Sequence, residues 1–178
     1  MKKKIYFDMD GTTAAYHQAV EKLVPDLHKI KTEDEYIEKV IIPHFGGDLF
    51  INLKPLPLYH YINRYNHEVL EMALLADICF VSFIGHHIHS LNSLRNKRQW
   101  LFNHNLDDYS EFIPLIGKYE DRALLSDKNS LLFDDNSYTI ELFIENGGQG
   151  VIVDPSVTET TEEGYQKFKT IINTFLRN

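Results

Sequence analysis

Two rhythms of apolar and polar positions alternate along the chain. Short β-prone apolar runs recur at Ile5 to Phe7, Ile78 to Phe83, Phe112 to Ile116, Ser130 to Phe133 and Val151 to Val153. Such continuous runs, without strict alternation, predict strands buried on both faces. The segments between them carry helical signals. Helical stretches are expected over Tyr16 to Lys29, Thr32 to Val40 and Leu58 to Leu75, the last with Tyr61, Tyr65, Val69 and Met72 near helical spacing. Further helices are expected over Ser93 to Asn103, Thr139 to Asn146 and Glu159 to Leu176, with a helical turn at Tyr119 to Leu125. Thr32 and Glu35 have the spacing of a capping box. Pro43 and Gly46-Gly47 break the second stretch, and Pro55 and Pro57 exclude a central strand or helix interior between Phe50 and Leu58. Strand and helix in alternation imply a parallel sheet joined by right-handed crossovers. The fold class is therefore α/β, a Rossmann-like three-layer α/β/α core. Residues 14–50 form a small helical insert after the first strand.

Composition narrows the function classes. The chain has 178 residues, 43% hydrophobic and 25% charged, as a soluble globular domain with a sizeable core requires. Its net charge of −8 disfavours a nucleic acid polymer as partner. Cys79 is the single cysteine and lies in an apolar run, so no internal disulfide forms and a buried structural thiol is expected. The apolar run after Met1-Lys2-Lys3-Lys4 ends at Asp8, too soon for an export signal, and no stretch has the length of a membrane span. A cytoplasmic protein without a membrane partner is the expectation.

The chemistry starts at Asp8-Met9-Asp10-Gly11-Thr12. Residues i and i+2 of an extended chain point the same way, and Gly11 then permits a turn. Two carboxylates so close together call for a cation or a retained proton. A surface turn would use the same residue types, so the reading depends on partners downstream. Ser82, Lys118 and the pair Asp134-Asp135 supply them, each at or just past the end of an expected strand, the edge where open parallel sheets bind ligands. Arg122 and Lys128 compete with Lys118 for the role of the cation. His86, His87 and His89 do not have the spacing of a structural zinc site and have no cysteine partners, so they are read as loop residues.

Asp8-Met9-Asp10-Gly11-Thr12, Ser82, Lys118 and Asp134-Asp135 resemble, in order and spacing, the four motifs of the haloacid dehalogenase-like (HAD) phosphohydrolases. Phe83, where the family has a small residue, is a departure. The insert, Phe50 to Pro57, Lys97-Arg98-Gln99-Trp100-Leu101, Asp134-Asp135-Asn136 and Glu145 to Gly150 further resemble the 5'(3')-deoxyribonucleotidase group. The resemblance implies a core of residues 1–13 and 51–178 and a cap of residues 14–50. It implies Asp8 as nucleophile, forming an aspartyl-phosphate, and Asp10 as acid and then base. Ser82 and Lys118 would bind phosphate. Mg2+, a hard cation, would be held by Asp8, Asp10 through its backbone carbonyl, and Asp134, with Asp135 beside them or reaching the ion through water.

A phosphomonoester hydrolase acting on a small phosphorylated metabolite is the resulting expectation, with nucleoside monophosphates as first substrates. Tyr36, Phe45 and Phe50 are either core of the cap or a cover for a nucleobase. Phosphatase action on a sugar phosphate, or binding without catalysis on the same fold, are the alternatives. Dehalogenation is disfavoured, because it needs neither Asp10 nor the metal.

Overall fold

The structure of the chain, a computed structural model, describes residues 2–69, 71–85, 87–117 and 119–178. His86 and Lys118, both named above, lie outside the described residues. Five strands build the sheet: β1 (Lys3–Asp8), β2 (Ala76–Phe83), β3 (Glu111–Leu115), β4 (Ser130–Asp134) and β5 (Gln149–Ile152). They pair in parallel in the order β3-β2-β1-β4-β5. Each apolar run of the sequence is a strand, with ends displaced by one or two residues.

The insert departs further from expectation. Helix α1 (Tyr16–Leu23) stops short of Lys29, and a 3-10 turn at Leu27–Lys29 follows. Pro25 is the cause: the residue before a proline avoids helical backbone, and Val24 has left it at φ −128 and ψ 81. Helix α2 (Glu33–Tyr36) runs through a π-helical stretch, Ile37–Ile41, into α3 (Ile42–His44) instead of ending at Val40. Pro43 has no N–H to give and its ring crowds the preceding turn, and the wider π turn lies directly before it. Half of the expected capping box forms. The Glu35 N–H donates to Thr32 Oγ1 at 3.2 Å, while the Glu35 carboxylate accepts from the Lys31 N–H.

The remaining helices are α4 (Pro57–Val69), α5 (Glu71–Leu75), α6 (Ser90–Asn103), α7 (Ser137–Glu145) and α8 (Glu162–Arg177). Pro57 takes the first position of α4, where its missing N–H costs nothing. Asn136 caps α7 by accepting from Thr139 N, and Thr161 caps α8 by accepting from Gly164 N.

Right-handed crossovers explain which helices share a face. The steps β1 to β2 and β2 to β3 run one way across the sheet, and those from β3 to β4 and β4 to β5 run the other. Ile5, Phe7, Ile78, Phe80, Leu131 and Phe133 accordingly point to one side, with Ile62 and Tyr65 of α4, Trp100 and Leu101 of α6, and Phe168 and Ile172 of α8. Tyr6, Cys79, Val81 and Leu132 point to the other, with Ile140 and Phe143 of α7. Phe7 lies at the centre, its ring 5.1 to 6.4 Å from those of Phe80, Phe133 and Phe168. A ring so buried contributes about 1.5–3 kcal/mol. Val40, Phe45 and Phe50 of the insert belong to the same apolar cluster as Phe7 and Trp100. Trp100 Nε1 also donates to Leu53 O at 2.8 Å, tying α6 to the chain that returns from the insert. Among the described residues no helix is long and apolar enough to cross a membrane.

Candidate active site at the carboxyl edge of the sheet

The chain leaves β1 toward β2 on one side and leaves β4 toward β5 on the other. Neighbouring strands whose connections diverge open a crevice at their carboxyl ends. Asp8 closes β1 and Asp134 closes β4, so the two carboxylates stand at that switch point. Both are buried.

The turn after β1 places the next residues. Thr12, Thr13 and Ala14 all donate their N–H to Met9 O, and Gly11 has φ +84, a conformation in which glycine has little strain. This tight turn sets Thr12 Oγ1 between Asp8 Oδ2 at 3.4 Å and Asp135 Oδ1 at 3.3 Å. The same hydroxyl accepts from the Asp135 N–H at 3.0 Å. Asp8, Asp134 and Asp135 each offer an oxygen within 4.8 Å of the others'.

Among the described residues Arg122 is a cation that stands between these acids. It lies in the 3-10 turn Tyr119–Leu125, is buried, and pairs with Asp8 Oδ1 through Nη2 and with Asp134 Oδ2 through Nη1 at 3.1 Å. Burial pushes the Asp8 carboxyl well above the usual range. Arg122 opposes this shift, and Asp134, Asp10 and Asp135 reinforce it. Asp134 is pushed up to about 6, again chiefly by burial, against the pull of Arg122 and the N–H of Asn136. One guanidinium therefore does not neutralise the cluster.

Asp10 faces a different partner. Its Oδ2 accepts from Ser82 Oγ at 3.1 Å and pairs with the ammonium of Lys97. Lys97 Nζ also donates to Ser82 Oγ and to Phe83 O, both at 2.8 Å. Asp10 Oδ1 is buried and has no hydrogen-bond partner among the described residues. The Asp10 carboxylate is thus outside the group of three acids, held by one oxygen with the other free. Lys97 is 1% exposed, and its ammonium lies 4.4 Å from the centre of the Phe50 ring. Three oxygens and an aromatic face are the company a buried ammonium needs.

The aromatic residues of the insert pack on one another. The Phe50 ring stacks on Tyr16 at 5.9 Å and meets Phe45 edge-on at 5.0 Å. The hydroxyls of Tyr16 and Tyr36 share a hydrogen bond. Phe45 and Phe50 are both buried. Side-chain amides of α6 grip the same segment: Asn92 Nδ2 donates to Phe45 O and Gly47 O, and Asn96 Nδ2 to Gly47 O at 2.8 Å. His87 lies 5.5 Å from the Phe45 ring, and His89 Nε2 is 3.2 Å from Ile42 O, so both attach to the insert.

The structure brings together Asp8, Asp10, Ser82, Asp134 and Asp135 from the sequence reading, and Lys118 lies outside the described residues. Arg122, which the sequence offered only as a rival to Lys118, contacts the acids directly. Lys97 and Thr12 are in the motifs quoted above, but neither was named as a site residue. The signal for Lys97 was its place on the helical stripe Ser93, Asn96, Lys97, Trp100, Leu101, all buried on α6. A lysine on a core-facing stripe needs an acidic partner.

The donors around Asp8, Asp134 and Asp135 are all oxygens, which suits a hard divalent cation. Among the described residues Asp134 Oδ2 is buried and accepts no hydrogen bond, although it forms an ion pair with Arg122. The residues fit such an ion, because its charge would reverse the penalty that burial imposes on these carboxylates.

No protein-family model matches the chain, and no curated protein matches it. Among solved structures it is similar to the crystal structure of a HAD-superfamily hydrolase from Ehrlichia chaffeensis, with 12% identity, 99% of each chain covered and a TM-score of 0.55. At that identity the likeness is one of fold, and it extends over the whole of both chains.

Proposed function

We propose that the chain is a divalent-metal-dependent phosphomonoester hydrolase that works through an aspartyl-phosphate on Asp8. The observation that carries this reading is the division of labour between two buried centres at one sheet edge. Asp8, Asp134 and Asp135 converge beside Arg122, and Asp10 is held apart by Lys97 and Ser82 with Oδ1 free. The fold shared with a HAD-superfamily hydrolase is in keeping with it.

The derived steps are as follows. An Asp8 carboxylate oxygen attacks phosphorus, and the bond from phosphorus to the ester oxygen breaks. Arg122 holds the other Asp8 oxygen, which orients the attack. Asp10, through Oδ1, gives a proton to the departing oxygen. It then takes one from the water that attacks the aspartyl-phosphate, and Asp8 and inorganic phosphate are released. Ser82 Oγ would turn its hydrogen from Asp10 to a phosphoryl oxygen, and Lys97, whose three hydrogens go to Asp10, Ser82 and Phe83 O, holds Asp10 in place. A cation held by Asp8, Asp134 and Asp135, with Mg2+ as the proposed ion, would screen the charge of the phosphoryl group when bound.

Selectivity falls to the insert, residues 14–50, which we read as the cap. Nucleoside monophosphates remain the first proposed substrates, on the sequence resemblance to the deoxyribonucleotidase group. One observation favours a second reading. Phe45 and Phe50 are occupied by Tyr16, Lys97 and each other, and a base would stack on them only if these contacts opened. A smaller phosphoester, such as a sugar phosphate, needs no opening. Cys79 is single and buried, so the fold makes no demand for an oxidising compartment, consistent with the cytoplasmic setting proposed.

A screen of para-nitrophenyl phosphate, nucleoside monophosphates and sugar phosphates with added Mg2+ tests the proposal. Turnover that disappears in folded Asp8→Asn and on chelation supports it. A folded Asp8→Asn protein with wild-type turnover overturns it. Preference for every sugar phosphate over every nucleotide overturns the nucleotide reading alone.

A further inference from the structure

His17 is outside the chemistry assigned above. It is the second residue of α1 and its side chain is 48% exposed, yet Nε2 lies 2.8 Å from Asp135 Oδ2. A carboxylate only accepts, so Nε2 carries the hydrogen and donates. Gly11 shows how closely this contact is built into the turn. A Cβ at Gly11 would collide with both Asp135 Oδ2 and His17 Nε2, so the bond crosses the bare face of the glycine.

The three acids that would hold a cation are not equally well secured. Arg122 pairs with Asp8 and Asp134, and Asp134 also accepts from the Asn136 N–H at 2.9 Å. Asp135 contacts Thr12 Oγ1 at 3.3 Å through one oxygen, and through the other it takes the much shorter bond from His17. We propose that His17 is a positioning residue for the cation, fixing Asp135 in the orientation that presents it to the ion shared with Asp8 and Asp134. This rests on the metal-dependent reading above. Partners that hold a ligand from outside in this way commonly change metal affinity by about 10–100-fold when removed. The sequence would not reveal the pairing, since His17 and Asp135 are 118 residues apart.

The test is calorimetric titration of the whole chain with Mn2+, and with Mg2+ in parallel, at one fixed pH. Wild type, His17→Ala and His17→Gln are compared, because a glutamine amide can place a donor near the position of Nε2. His17→Ala should bind Mn2+ at least about tenfold more weakly, and His17→Gln should stay within about threefold of wild type. Metal-free melting curves of wild type and His17→Ala should coincide, since the ring is half exposed. Equal or tighter binding by His17→Ala overturns the inference, as does His17→Gln binding as weakly as His17→Ala. A metal-free His17→Ala that melts far below wild type makes His17 a structural residue and also overturns it. Wild type that binds neither ion removes the metal-dependent reading itself, and this is seen before any variant is measured.

Discussion

Arg122→Met separates the electrostatics of the site from its catalysis. Arg122 is buried between Asp8 and Asp134, whose carboxylates are also buried. Removing one partner from a buried ion pair leaves an uncompensated charge and costs about 3–5 kcal/mol. For a chain of this size that corresponds to a drop in Tm of roughly 6–20 °C. The loss has a ceiling, because the stranded carboxyls can take up protons. Burial raises both carboxyls, Asp134 to about 6, and losing Arg122 raises them more, so the gap between wild type and variant should be widest at high pH and narrow as pH falls toward about 6. The variant should also respond more strongly to Mg2+, since one positive charge beside the proposed cation site is gone. A ligand at a hundred times its Kd stabilises by about 2.7 kcal/mol, and tighter binding raises that figure. Urea melts of both proteins at neutral pH, in chelator and in excess Mg2+, measure these quantities together. A loss below about 1 kcal/mol in chelator would refute the assignment of Arg122 as counter-ion to the buried acids. A Mg2+ response no larger than that of wild type would refute the shared site.

Two further outcomes are expected. If Lys97 acts through Asp10, kcat/KM for an alkyl phosphate should be no lower in the Lys97→Met/Asp10→Asn double variant than in Asp10→Asn, within about twofold, whereas losses that multiply would show that Lys97 acts independently. On α4, the hydrogen bond from Tyr165 and the pairing with Arg64 pull the Glu68 carboxyl from 4.5 down to about 2. A carboxyl lowered on folding adds stability that is complete above about 4.5 and disappears as pH falls toward 2. Glu68→Gln should therefore flatten the decline of stability in that window, and parallel wild-type and variant curves would contradict the pairing.

The strands were legible because a strand buried on both faces must be apolar at nearly every position, and Ile78 to Phe83 or Leu131 to Phe133 can hardly be anything else. The acids at strand ends were legible for a related reason. Asp8 and Asp134 follow apolar runs directly, so the sheet that buries the run must place the carboxylate at its edge. Pro25 gave a local signal that outweighed the helical pattern around it, and reading through it extended α1 too far. The partners of the acids were not legible in the same way. Lys97 and Arg122 each come from a segment between strands, and nothing local to either says which carboxylate it will meet. Helix α6 had to pack its Trp100 stripe on the sheet before Lys97 could reach Asp10 and Ser82. The turn between β3 and β4 had to cross the sheet before Arg122 could reach Asp8 and Asp134. Phe45 and Phe50 follow the same rule: an aromatic side chain in an insert is compatible with a cover or with a core. Only the packing of Tyr16 and Lys97 around them made them core. Residue type and local rhythm set what each segment can be. Contacts between residues a hundred positions apart depend on the order in which the strands assemble, and that order exists only in the folded chain.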